Sequence, residues 1–141
     1  MANCTSVGQS GDSVSLADNP LPSTFICNLS GYSQASYGQS AQVLDGNNHV
    51  VAEISSQGGG GIEPMTGSSS FTATDSGQPY TVKITNTGPQ TSRVIKTYDT
   101  LSDGSKTYAG FWMFISEDSP DGGDCDFNDS TVLLSWNLNA G

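Results

Sequence analysis

Short runs rich in β-branched and aromatic residues recur along this chain and limit what it can fold into: PYTVKITN at 79–86, SRVIKTYD at 92–99, TYAGFWMFIS at 107–116 and DSTVLLSWN at 129–137, separated by turn-forming residues. None carries the period of an amphipathic helix, so strands are the predicted elements. Further strands are predicted at 23–28, 40–45, 48–54 and 69–74. Asp45-Gly46-Asn47 and Asp103-Gly104 tolerate positive φ and are predicted hairpin turns. Strands at this spacing predict an all-β fold, an antiparallel β-sandwich. At 141 residues one domain is expected, over 12–141, after a flexible extension at 1–11. SSQGGGG at 55–61 is a predicted flexible loop, because successive glycines lose much entropy when ordered.

The charge balance removes whole classes of function. The formal net charge is −10, with Lys and Arg totalling 4. Nucleic acid needs a basic footprint to displace its counterions, and anionic membranes attract basic segments. The longest apolar runs, such as VLL at 132–134, are too short to span a bilayer, so no membrane insertion is expected. The N-terminal segment lacks both a basic n-region and an apolar h-region. The expectation is therefore a cytoplasmic protein, or one released to the cell surface or exterior by a non-classical route. Cys4, Cys27 and Cys125 are odd in number, and their spacing with the single His49 fits no zinc motif. A Cys4–Cys27 disulfide is one available pairing, which sequence does not establish. Trp112 and Trp136 lie on apolar strands and read as core, with a sugar-stacking platform as the alternative. His49 reads as a strand residue after a hairpin turn. No nucleophile motif such as G-x-S-x-G is present, and no enzyme is expected.

The stretch EDSPDGGDCDFND, from Glu117 to Asp129, packs six of 14 acidic residues into thirteen positions. Like charges this close repel unless a cation sits among them. Asp124, Asp126 and Asn128 alternate, so an extended segment would point all three to one side. Asp129 joins them if the backbone bends at Asn128, and Gly122-Gly123 permit a sharp approach upstream. Glu117, at the end of the preceding strand, closes the cluster. All are hard oxygen ligands without imidazole or thiolate, a set that suits Ca²⁺ better than Mg²⁺. An EF-hand is excluded: its sixth position should be Gly and is Asp129, and its twelfth should be Glu and is Ser135. A carboxylate-pair glycosidase needs one acid in an apolar pocket, which six crowded acids do not provide. Glu117, Asp124, Asp126 and Asp129 together carry more charge than one Ca²⁺ neutralises. Two adjacent ions would balance it. The bland alternatives are a solvated acidic loop or a single structural ion.

The segment resembles that of the small bacterial calcium-dependent fucose- and mannose-binding lectins. Those share an E-D…D-x-D-[YF]-N-D motif followed by a β-branched strand, a Trp and a short tail ending in Gly. Here it reads Glu117-Asp118, then Asp124-Cys125-Asp126-Phe127-Asn128-Asp129, STVLLSW and NLNAG. The family's Asn-x-Ser-Gly stretch is similar to Asn28-Leu29-Ser30-Gly31. The resemblance implies a sandwich of about nine strands with two Ca²⁺ per chain. It implies that Asn28, Asp126, Asn128 and Asp129 hold one ion, and Glu117, Asp124, Asp126 and Asp129 the other. It implies a sugar bound directly to both ions, in contact with Asp124, Asp126 and Asp129 and lined by Leu29, Ser30, Gly31 and Asp118. It also implies a dimer or higher homo-oligomer, in which the Gly141 carboxylate completes a neighbour's calcium site, or Asn139 takes its place. The partners implied are fucose- or mannose-type glycans. Departures are a longer loop between Asp118 and Asp124, a Leu at position 29 that cannot hydrogen-bond sugar, and a longer tail.

Two functions compete: a calcium-dependent lectin, and a calcium-stabilised structural or adhesive module without sugar binding. Convergence of Asn28-Leu29-Ser30-Gly31 on the acidic loop favours the first; a remote position favours the second.

Overall fold

The computed structural model describes residues 2–138. Among them are twelve strands: β1 (Gln9–Ser10), β2 (Val14–Ser15), β3 (Ile26–Gln34), β4 (Gln39–Leu44), β5 (Val50–Ser55), β6 (Ile62–Pro64), β7 (Thr66–Ser68), β8 (Ser70–Thr72), β9 (Thr81–Asn86), β10 (Arg93–Asp103), β11 (Lys106–Glu117) and β12 (Ser130–Asn137). They form two antiparallel sheets. The larger has the order β1-β10-β11-β12-β3-β6, with β8 also on β3; the smaller has the order β2-β9-β4-β5-β7. The all-β sandwich expected from sequence is what forms. The strand count exceeds nine because β1, β2, β6 and β7, of two or three residues each, are too short to show alternation, whereas β8 falls within the strand predicted at 69–74.

The core lies between the sheets. Alternation along β12 sends Val132, Leu134 and Trp136 inward, and along β11 Trp112, Phe114 and Ser116. Ala41 and Val43 on β4, Ile54 on β5, and Val82 and Ile84 on β9 face them from the other sheet. Each buried Val, Leu, Ile or Phe among them contributes roughly 1.5–3 kcal/mol by leaving water. Both tryptophans are buried, Trp112 with its indole N–H donating to the Asn19 carbonyl at 3.2 Å. His49 is exposed, 3.6 Å from the Asp45 carboxylate across the β4–β5 turn.

Residues 2–11 are not a loose extension. β1 pairs with β10, Asn3 bridges Asp121, and the Arg93 guanidinium donates to the carbonyls of Val7 and Gly8. Cys4 is buried and disulfide-bonded to Cys125, 121 residues away. That pairing replaces Cys4–Cys27. Cys27 is a free thiol facing the core from β3, and burial raises its pKa to about 11. The 55–61 loop is also tied down: the N–H groups of Gly59 and Gly60 donate to the Ala35 carbonyl, and those of Gln57 and Gly58 to the Glu63 carboxylate.

Candidate functional site

β11 ends at Glu117 and β12 begins at Ser130, so the acidic stretch is the loop joining two central strands of the large sheet. The Ser116 and Ser130 side chains, opposite each other across the two strands, hydrogen-bond at 2.6 Å and close the loop at its base. The loop is not a plain extended segment. Cys125 and Phe127 have φ of +55° and +56°, left-handed conformations that non-glycine residues rarely adopt. Asp124 and Asp126, on either side of Cys125, are exposed, while Phe127 is buried and Cys125 is drawn to Cys4. The buried ring and the disulfide are what hold this backbone in place. Gly123 allows the loop to fold back on itself: a Cβ there would collide with the Ser119 carbonyl and sit 3.2 Å from Glu117 Oε1.

Three carboxylates lie buried side by side. Glu117 is 1% exposed, Asp118 5% and Asp129 9%. Asp129 Oδ2 accepts the Asp118 backbone N–H at 2.7 Å. Asp118 Oδ1 accepts from the Ser119 hydroxyl at 3.0 Å and Oδ2 from Gln39 Nε2 at 2.9 Å. Glu117 Oε1 accepts the Ser119 N–H at 3.1 Å, but Oε2 is buried with no hydrogen-bond partner. Burial first, then the neighbouring charges of Asp118 and Glu117, push the Asp129 carboxyl up to about 8, against the lowering effect of the N–H bond. Carboxylate oxygens of Glu117, Asp118 and Asp129 lie within 4.8 Å of one another, and so do those of Glu117, Asp124 and Asp126.

This arrangement fits a metal ion. A buried carboxylate oxygen without a donor costs several kcal/mol unless a cation or proton meets it. Two groups of hard oxygens sharing Glu117 could each hold a cation that prefers oxygen ligands. The resemblance implies Asp126 and Asp129 as the residues shared between two ions; the residue common to the two carboxylate groups is Glu117. Asn128 lies in the same loop, its N–H bonded to Asp126 Oδ1 at 3.2 Å. Gly141 and Asn139 lie outside the described residues.

The four residues taken from the upstream motif are not at this site. β3 pairs with β12 so that Ser33 faces Ser130 and Asn28 faces Ser135, which places Asn28 about 17 Å along the strands from the loop. Asn28 Oδ1 accepts instead from Ser70. Leu29 is 1% exposed, in the core. Ser30 and Gly31 pair with Leu133 and Val132 on the sheet. Sequence reading ended this strand at 28, but β3 runs to 34, and only then does the chain turn beside the acidic loop. There the Gln34 N–H donates to the Asp129 carbonyl at 3.1 Å. Ser36 and Tyr37, in the turn between β3 and β4, line an open cavity of about 570 Å³ with Glu117, Asp118, Ser119, Gly122, Gly123, Asp124 and Asp129. The signal for this longer strand was the alternation of Cys27, Leu29, Gly31 and Ser33. Its last two positions are not apolar, which hid it.

Comparison with known proteins shows the family of the chain. The family model for fucose-binding lectin II (PA-IIL) matches residues 19–138.

The chain belongs to the fucose-binding lectin II family.

Solved structures agree in fold with this family assignment. A Chromobacterium violaceum lectin in complex with alpha-methyl-fucoside is 22% identical, with a TM-score of 0.64 over 94% of this chain and 100% of that one. A Ralstonia solanacearum high-affinity mannose-binding lectin is 23% identical, TM-score 0.63, covering 85% and 95% of the two chains. The C-terminal domain of a Burkholderia cenocepacia lectin is 20% identical, TM-score 0.62, covering 85% and 94%. No curated protein sequence matches the chain significantly. As a family of lectins, fucose-binding lectin II binds carbohydrate and does not turn it over, so the chain is a carbohydrate-binding protein rather than an enzyme.

Proposed function

We propose that this lectin is calcium-dependent, with two adjacent Ca²⁺ ions in the acidic loop presented to a fucose- or mannose-type sugar. The carrying observation is Glu117, whose buried, unpartnered Oε2 sits where two groups of carboxylates meet. Glu117, Asp124, Asp126, Asn128 and Asp129 would hold the ions. Calcium, when bound, supplies open coordination positions that vicinal sugar hydroxyls fill together. The chain's own part is to orient and select. Asp118, fixed by Gln39 and Ser119, is placed as a charged acceptor for a sugar hydroxyl. Ser36 and Tyr37 form the opposite wall, the role that sequence had assigned to Leu29, Ser30 and Gly31.

The structural-module reading drew its support from a remote Asn28. That support is weakened because another segment, Ser36-Tyr37, takes the facing position. Homo-oligomerisation belongs to the proposal, since one shallow site per chain gains strength through multivalency. Its support is the outer face of the large sheet, where Ile95 pairs with Ile115 and Met113 with Leu133. The Cys4–Cys125 disulfide favours an oxidising compartment outside the cytosol.

The test is calorimetric titration of fucose and of mannose, with calcium and again after chelation. Binding that disappears with the chelator is the expected result. No heat with either sugar, despite bound calcium, would favour the structural module.

A further inference from the structure

We propose that the ligand is an oligosaccharide, and that Tyr37 is a stacking platform for the sugar linked to the ion-bound residue. This rests on the calcium-lectin reading above and names the substrate class of that same site.

Tyr37 lies in the turn that faces the acidic loop and lines the cavity, yet 38% of it is exposed. Tyr32 and Tyr108 are more exposed still, but it is Tyr37 that lines this cavity, so its accessible ring surface lies beside the carboxylate cluster. Its position is fixed by three loops bonded to one another. Gln39 Nε2 donates both to the Tyr37 carbonyl at 3.1 Å and to Asp118 Oδ2 at 2.9 Å, so one amide sets the distance between the tyrosine backbone and a cavity carboxylate. The Gly38 N–H donates to Thr87 Oγ1 at 3.0 Å, and the Thr87 N–H returns to the Gly38 carbonyl at 3.1 Å. The ring itself rests on Gly88, where a Cβ would come within 2.7 Å and 2.8 Å of its Cδ2 and Cε2 atoms. Beyond Gly88, Gln90 exchanges two 2.9 Å bonds with the backbone of Asp121 in the acidic loop. The ring is thus held by a rim that includes the acidic loop, and little ordering entropy is left to lose on binding.

The chemistry divides accordingly. Ions in the carboxylate cluster hold hydroxyls, which are the polar edge of a sugar. An aromatic surface holds the C–H face of a pyranose, which is apolar. An open cavity of about 570 Å³ is within the range of sites for ligands larger than a single sugar ring. A monosaccharide gripped at the ions leaves the tyrosine wall available for the next residue of a chain.

The experiment compares methyl fucoside and methyl mannoside with disaccharides ending in the same sugars, by calorimetry in calcium. The reading is the ratio of disaccharide to monosaccharide affinity. In the wild type this ratio should be roughly three to ten. Tyr37→Ala should bring it close to one, and Tyr37→Phe should preserve it, because the ring and not the hydroxyl makes the contact. Calcium-dependent thermal stabilisation of each variant checks that the site has formed. A wild-type ratio of one, or a ratio that survives Tyr37→Ala, would overturn the stacking subsite and leave the lectin site standing. Absence of binding by every sugar in calcium would overturn the lectin site, and the subsite with it.

Discussion

Gln39 donates from Nε2 to Asp118 Oδ2 at 2.9 Å, joining the first residue of β4 in the small sheet to the residue that follows β11 in the large one. The two sheets are pinned together beside the cavity of the acidic loop. Gln39 is 1% exposed and Asp118 5%, so the bond is shielded from water. Replacing Gln39 by Leu would leave a buried carboxylate oxygen without its donor. The expected cost is about 1–3 kcal/mol of stability, together with weaker sugar binding and a smaller change in calcium affinity. Parallel calcium and sugar titrations of Gln39→Leu would check this; an equal loss of both would mean that Asp118 serves the ions instead.

Glu117→Gln should separate the two halves of the site's energetics. Removing the Glu117 charge from this buried carboxylate cluster relieves crowding in the calcium-free protein, and its melting temperature should rise by a few degrees. The same change should weaken calcium binding by more than about 100-fold, since Glu117 belongs to both carboxylate groups. Asp126→Ala should likewise abolish calcium and sugar binding, without the stability gain, because Asp126 is exposed. Melts with and without calcium give both readings.

Asp129 makes the calcium-free fold sensitive to alkali. Its folded pKa of about 8 lies above that of an ordinary carboxylate, about 3.9. Between these values the folded protein keeps a proton that the unfolded chain releases. The stability this provides is complete below the unfolded pKa and is lost as pH rises through about 8. On the calcium reading proposed above a bound ion would take the proton's place, so calcium should suppress the decline, and its affinity should rise with pH across the same window. Melting curves from pH ~5 to ~9 would show this, and a flat calcium-free profile would contradict it.

The Cys4–Cys125 disulfide fixes the loop from outside the site. It closes a loop of 121 residues, for which chain-entropy arguments give a stabilisation of about 4–5 kcal/mol. Cys4→Ser should lower the melting temperature and weaken calcium binding, because Cys125 holds the backbone between Asp124 and Asp126. Thiol titration should find no reactive group in the native protein and one, Cys27, after denaturation. A second reactive thiol would show that the bridge had not formed.

Leu29→Ser tests the correction to the upstream motif. Leu29 packs in the core with Val43, Ile54 and Leu134, so the substitution should cost about 2–5 kcal/mol. Sugar preference should not change. A changed preference with unchanged stability would put Leu29 back at the cavity.

Much of the acidic loop was legible because its signal is local. Charge crowding, hard oxygen donors and a glycine pair lie within thirteen successive residues, and their chemistry follows from their identity. The sandwich was legible for a related reason: alternation along β9, β11 and β12 reports directly that one face of each strand is buried. The facing wall was not legible. Asn28-Leu29-Ser30-Gly31 has suitable residue types, yet it occupies strand rather than turn. Gly31 and Ser33 at inward positions concealed how far that strand continues.

Sequence by itself determined an all-β chain with one site rich in oxygen ligands, since both properties are carried by neighbouring residues. Tertiary structure decided what stands opposite that site. The pairing of Ser33 with Ser130 sends Asn28 away and delivers Ser36 and Tyr37. The packing of β1 on β10 brings Cys4 to Cys125 rather than to Cys27. Both outcomes depend on strand register, which is set by the sum of contacts across a sheet and is not carried by any short segment of the chain.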